Sequence, residues 1–136
     1  MLVEKFVPGR ELTVSVMGGE ALAVTDIVAS TGWYDYAAKY QAGGSVHEIP
    51  ARIPPEVEAR CLSVAARAHE ALRCRGLSRA DLRWDESLGA DGVVLLEVNT
   101  QPGMTPTSLS PEQAAHKGIT FEELMVWMVE DASCLR

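Results

Sequence analysis

The stretch Val93-Val94-Leu95-Leu96-Glu97-Val98-Asn99-Thr100-Gln101-Pro102-Gly103-Met104-Thr105 is an apolar strand that ends in a carboxylate and an amide and then breaks at Pro-Gly. Side chains alternate along a strand, so Glu97 and Asn99 are expected on one face, with Leu96 and Val98 packing on the other. Two oxygen ligands then point at one spot. Arg79-Ala80-Asp81-Leu82-Arg83-Trp84-Asp85 alternates in the same way and puts Arg79 and Asp81 on a common face. If the two strands pair, Asp81, Glu97 and Asn99 converge. Hard oxygen ligands that leave positions open for water and phosphate suit magnesium bound together with a nucleotide, and they do not suit zinc. Taken alone, Glu97 reads as a solvated strand end; the constellation reads as a metal site.

Working outward, Leu12, Val14 and Val16 alternate with Glu11, Thr13 and Ser15, and Gly18-Gly19 turns the chain into Ala21 to Val28. This predicts an antiparallel hairpin. Residues 29–54 show little periodicity and contain Gly32, Gly43, Gly44 and Pro50, the pattern of a long loop of the lid or binding type. After Pro54-Pro55, the apolar positions Val57, Cys61, Val64, Ala65, Ala68 and Leu72 define an amphipathic helix that stops near Gly76. Beyond the Pro-Gly break, Ser110-Pro111-Glu112-Gln113 reads as an N-cap, a first-turn proline and a capping-box partner. Thr120 with Glu123 repeats the box, Ile119 and Leu124 form a staple, and the last helix is expected to bury Phe121, Leu124, Met125 and Met128. The expected fold class is α+β: a mostly antiparallel sheet with covering helices, in one domain over 1–136, with no repeat or linker.

With 136 residues, 47% of them hydrophobic, the chain is long enough to bury roughly two thirds of its unfolded surface without staples. Cys61, Cys74 and Cys134 are odd in number and lack C-x-x-C spacing, which points away from disulfides and zinc and toward a reducing compartment. No signal-peptide pattern and no apolar run near the ~20 residues of a membrane span is present, so the expected location is the cytoplasm. A net charge of -7 argues against nucleic acid as partner. His47, His69 and His116 share no motif and are expected at the surface.

Arg79-Ala80-Asp81, the run Leu95 to Thr105, and Ser108-Leu109 together resemble the C-terminal part of the bacterial D-alanine-D-alanine ligases of the ATP-grasp superfamily. Tyr34-Asp35-Tyr36-Ala37-Ala38-Lys39-Tyr40 is similar to the loop that covers the substrates in these ligases. The resemblance runs from about Glu4 to the last helix. It implies an ATP-grasp C-terminal domain preceded in family members by an N-terminal domain and most of a central domain that are absent here, so the isolated chain is expected to be inactive. It also implies an ADP-forming ligation of two D-alanines through an acyl phosphate, for peptidoglycan precursors. ATP and two Mg2+ ions, with Mn2+ as a substitute, are the implied cofactors, and the full-length enzyme is implied to be a homodimer.

Residue by residue, the resemblance assigns Glu4, Lys5, Phe6 and Val7 to the interdomain hinge that meets the adenine edge, and Glu11 to the ribose hydroxyls. Lys39 falls near the terminal phosphate and Tyr40 closes over the substrates. Asp81, Glu97 and Asn99 hold the metals; Arg79 neutralises the transferred phosphoryl group and the oxyanion, with the Gly103 N–H as a second donor. Ser108 and the Leu109 N–H grip the carboxylate of the second D-alanine. Read without the resemblance, Lys5 and Glu11 are solvated charges beside an edge strand, Tyr34, Tyr36 and Tyr40 pack the loop down, Arg79 pairs with Asp81 or Glu97, and Ser108 is a turn residue. The loop departs from the family pattern at Trp33 and Ala37, where Phe and Glu are frequent. Alternatives are the D-alanine-D-lactate branch, another ATP-grasp ligase, or a truncated non-catalytic module.

Overall fold

The computed structural model describes residues 1, 3–29 and 45–133. The loop carrying Tyr34 to Tyr40, and with it Lys39 and Tyr40, lies outside the described residues, as does Cys134. Strands β1 (Arg10–Met17) and β2 (Glu20–Ala29) form the expected hairpin, and β3 (Ser45–Glu48) adds to β2. Helix α1 (Pro55–Ala71) leads into β4 (Leu77–Trp84), a 3-10 segment at Glu86–Gly92 and β5 (Val93–Asn99). Helices α2 (Leu109–His116) and α3 (Phe121–Asp131) complete the described chain. The sheet order is β3-β2-β1-β4-β5 with every neighbouring pair antiparallel, the α+β architecture the sequence predicts.

Helix α1 covers one sheet face. Its Val57, Cys61 and Ala65 recur every four residues and meet Leu12, Val14, Val16, Leu82 and Trp84 in the main core. Burial pushes the Cys61 thiol up to about 11, so this cysteine acts as a small hydrophobe. The opposite face, carrying Thr13, Ser15 and Thr25, is closed over by α2, and α3 packs outside it through Leu124, Met125 and Met128 around Leu22 and Ala114. Central strand β1 is therefore buried on both sides from Leu12 to Val16, although its sequence alternates apolar and polar.

Two bulges set the phase of the sheet. Val14 pairs with Val24 and Val16 with Ala21, so the single residue Ser15 faces both Leu22 and Ala23. On β5, Leu82 pairs with Leu95 but Asp81 with Glu97, which makes Leu96 the extra residue.

Several details differ from the sequence expectations. Residues 29–54 are not one long loop, because β3 lies within them. Helix α2 begins at Leu109 after Ser108, not at Ser110, and Gln113 is not a capping partner. Its side chain is fully buried: Oε1 accepts from the Ser15 N–H at 2.7 Å, and Nε2 donates to the Thr13 carbonyl at 3.2 Å and to Thr25 Oγ1 at 2.9 Å. The amide thus stands in for the backbone partner that the bulge withholds from Ser15. His69 is buried, not at the surface; its Nδ1 lies 2.8 Å from Ser78 Oγ, and desolvation lowers its pKa. His47 is half-buried, with Nδ1 2.7 Å from Glu112 Oε2. The Thr120–Glu123 capping box forms as expected, and those bonds lower the Glu123 pKa. Of the four expected buried positions of α3, Leu124 is fully buried, whereas Phe121, Met125 and Met128 are half-buried.

Candidate active site

The face of β1, β4 and β5 not covered by α1 carries a ladder of paired polar residues. Glu11 lies opposite Arg83, Thr13 opposite Asp81 and Ser15 opposite Arg79. Across the next seam, Asp81 faces Glu97 and Arg79 faces Asn99. Cross-strand partners share a face, so Asp81, Glu97 and Asn99 lie on one face of two neighbouring strands, Asn99 one rung beyond the Asp81–Glu97 pair. Successive rungs are two residues, ~7 Å, apart along the strands.

Arg79 grips Asp81 with both prongs, Nε to Oδ1 and Nη2 to Oδ2, each at 2.8 Å. Asp81 Oδ1 also accepts from Thr13 Oγ1 at 2.7 Å. Glu97 is exposed, and the Asn99 amide oxygen accepts from the Gln101 N–H at 2.8 Å, closing a turn that leads into Pro102-Gly103. Among the described residues no three His, Cys, Asp or Glu side chains gather as a metal cluster. Two carboxylates and one amide make an incomplete hard-oxygen set, which fits an octahedral cation that takes its remaining ligands from phosphate and water.

At the Glu11–Arg83 end lies a cavity of about 700 Å3. The segment Glu4 to Val7 forms one side and Val94 with Leu96 the other. Leu96 therefore does not pack with Val98; the bulge turns it out, and it lines the cavity. Arg83 organises this end. It donates to the carbonyls of Val7 (3.2 Å) and Gly9 (2.9 Å), approaches Glu11 Oε2 at 3.6 Å and sits 5.9 Å from the Phe6 ring centroid. Gly9, with φ +98°, allows the segment to fold over Trp84, whose carbonyl oxygen would lie 2.0 Å from any Cβ there. An apolar slot edged by backbone and carboxylate groups is the chemistry of a heterocycle-plus-sugar site.

At the other end, Gly103 packs so closely on Ser108 that an added Cβ would sit 3.1 Å from its Oγ. Ser108 Oγ accepts from the Thr105 N–H at 3.0 Å, and buried Leu109 starts α2. The structure thus brings Gly103, Ser108 and Leu109 together, and brings Glu4 to Val7 and Glu11 together. Sequence reading missed Arg83, Leu96 and Thr13. Arg83 and Thr13 were reachable from the alternation that marks Arg79 and Asp81; Leu96 was not, because a bulge leaves no periodic signal.

Among solved structures, the arrangement is similar to the D-alanine–D-alanine ligase of Bacillus anthracis. The TM-score is 0.77 both for the crystal structure complexed with ATP (28% identity, 94% of this chain and 39% of that one) and for a second crystal structure (32% identity, 94% and 41%). The fold is that of an ATP-grasp C-terminal domain. Residues 1–130 match the family model described as "D-ala D-ala ligase C-terminus", and the chain belongs to that family. Curated relatives named D-alanine–D-alanine ligase come from Cereibacter sphaeroides (68% identical), Ruegeria pomeroyi (64%) and Dinoroseobacter shibae (60%). Each match covers the whole of this chain, which spans 44% of the length of these relatives.

Proposed function

We propose that this protein supplies the metal, phosphoryl and acceptor half of an ADP-forming D-alanine–D-alanine ligase. The order of groups along one sheet face carries the reading. An apolar slot comes first, then Glu11 with Arg83, then Asp81 with Glu97, then Arg79 with Asn99, the order of base, ribose, metal-bound phosphates and transferred phosphoryl in an extended nucleoside triphosphate. Glu11 accepts the ribose hydroxyls, and backbone groups of Glu4 to Val7 meet the adenine edge. Asp81, Glu97 and Asn99 would hold magnesium, which neutralises phosphate charge and polarises the bond that breaks.

Arg79 now occupies Asp81. As the phosphoryl group arrives, the guanidinium exchanges that carboxylate for phosphoryl oxygens, and its planar fork then stabilises the tetrahedral oxyanion formed when the acceptor amine attacks the acyl phosphate. The Gly103 N–H is the second oxyanion donor, while Ser108 Oγ and the Leu109 N–H hold the acceptor carboxylate. Lys39 and Tyr40 act on the terminal phosphate and the closed state. ATP as co-substrate puts the reaction in the cytoplasm, and the described residues contain no helix long and apolar enough to cross a membrane.

The test joins this chain to the N-terminal portion that its relatives carry and follows phosphate release and product with D-alanine and ATP. Glu97→Gln keeps volume and removes the charge opposite magnesium, so turnover should fall about a hundredfold or more, the equivalent of a few kcal/mol of transition-state stabilisation, while thermal stability barely moves. Turnover within a few-fold of the parent would remove the metal assignment. A dominant D-alanyl-D-lactate product with both acceptors present would reassign the acceptor.

A further inference from the structure

We propose that Thr13 is a positioning residue for Asp81, fixing which of its carboxylate oxygens faces a bound divalent cation; this rests on the metal assignment above. Thr13 has no solvent exposure, so its hydroxyl must find a partner inside the protein. It has two within reach, Asp81 Oδ1 at 2.7 Å and the Ala80 carbonyl at 3.1 Å, and one proton to give. The shorter contact ends on a charged acceptor and is the stronger.

The two oxygens of Asp81 are not equivalent. Oδ1 accepts from both Thr13 and Arg79, whereas for Oδ2 the bond seen is from Arg79. When Arg79 turns to an incoming phosphoryl group, the carboxylate loses both arginine bonds at once. Thr13 is then the contact that keeps Oδ1 down on the sheet and stops rotation about the terminal torsion, leaving Oδ2 as the oxygen presented outward. Without the hydroxyl, Oδ1 of this half-buried carboxylate would lose its Thr13 contact as well in the very state that binds the cation. Outer-shell partners of metal-ligating carboxylates are typically worth 10- to 100-fold in metal affinity.

Thr13 also ties this point to the acceptor end. Its carbonyl accepts from Gln113 Nε2 on α2, the helix whose start carries Ser108 and Leu109. The strand that orients the metal carboxylate is thereby held in register with the acceptor grip.

The experiment measures Mn2+ binding in the presence of ADP, from the electron paramagnetic resonance signal of the free ion, in the chain joined to its N-terminal portion. Thr13→Val keeps the shape and removes the hydroxyl, and should raise the Mn2+ dissociation constant about tenfold or more. Turnover should recover at high magnesium, a change in metal requirement and not in maximal rate. Thr13→Ser restores the hydroxyl and should bind within about twofold of the parent. Thr13→Ala is the second hydroxyl-free variant should Thr13→Val not fold. Asp81→Asn separates this inference from the one beneath it: unchanged affinity there removes the metal assignment itself. Weakened binding in Asp81→Asn together with parental binding in Thr13→Val overturns the role of Thr13 alone. Equal weakening in Thr13→Val and Thr13→Ser overturns it too, because the hydroxyl is then not the cause.

Discussion

Replacing Gln113 with leucine should be among the most damaging single changes in the chain, and the structure allows its size to be worked out. The side chain makes three hydrogen bonds, all buried: from the Ser15 N–H, to the Thr13 carbonyl and to Thr25 Oγ1. Each such bond contributes about 1 kcal/mol net, and a buried donor left without a partner costs a further 1–3 kcal/mol or so. Ser15 has no pairing residue on β2 to fall back on. Leucine returns roughly 1–2 kcal/mol through its larger apolar surface. The net loss is therefore about 3 kcal/mol, a large part of the roughly 5–15 kcal/mol that holds a typical domain together. The melting temperature should drop by roughly 10 °C. Urea titration followed by circular dichroism should show a lower midpoint with an unchanged slope, so that the whole effect is stability. Ser110→Ala, which removes only the 2.8 Å bond between Ser110 Oγ and Ser15 Oγ, should cost about a third as much. A Gln113→Leu variant within about 0.5 kcal/mol of the parent would refute the claim that this amide completes the bulged ladder.

Two further outcomes follow from groups the sequence reading passed over. In the chain joined to its N-terminal portion, Arg83→Met frees the segment from Val7 to Gly9 and releases Glu11, and should raise the KM for ATP about tenfold, some 1.4 kcal/mol, with kcat nearly unchanged; steady-state kinetics showing a lower kcat at constant KM would contradict this. Because burial lowers the His69 pKa, the unfolded chain takes up a proton near 6.5 that the folded chain refuses, so this group's contribution to stability is intact above that pH and erodes as the pH falls below it. Melting curves from pH 8 to pH 5 should show a flatter acid limb in His69→Gln than in the parent, and identical limbs would exclude His69 as the source.

The elements readable from sequence were those whose signal is local and periodic. The β1–β2 hairpin followed from Leu12, Val14 and Val16 with Gly18-Gly19, α1 from its every-fourth-residue apolar stripe, and the start of α3 from the Thr120–Glu123 box. Arg79 with Asp81, and Glu97 with Asn99, could each be put on a common face because alternation holds within β4 and, beyond Leu96, within β5. What escaped depends on long-range contact. Gln113 sits three residues after a serine, which reads as a cap, and only the distant bulge at Ser15 gives it a different task. His69 looks like any helix-surface histidine until Ser78 closes over it. β3 is four residues long and exists through pairing with β2, so its own sequence carries almost no strand signal.

The extra residue at Leu96 makes β5 a strand with two phases. Val93 and Leu95 lie opposite Trp84 and Leu82 of the core face, while Glu97 and Asn99, which an uninterrupted strand would have put on that same face, point to the ladder instead. The strand therefore behaves like a reading frame. Its letters tolerate exchange, since a different apolar side chain at Leu96 merely reshapes the wall of the slot. Its pairing does not: were Leu96 to pair with Asp81 in an unbroken strand, Glu97 and Asn99 would turn to the core face and Leu96 and Val98 to the ladder, whereas removing Leu96 outright leaves Glu97 opposite Asp81. Selection on this segment should consequently act on the bulge before it acts on composition, and a variant lacking Leu96 should keep fold and metal ladder while losing the wall that Leu96 gives the slot.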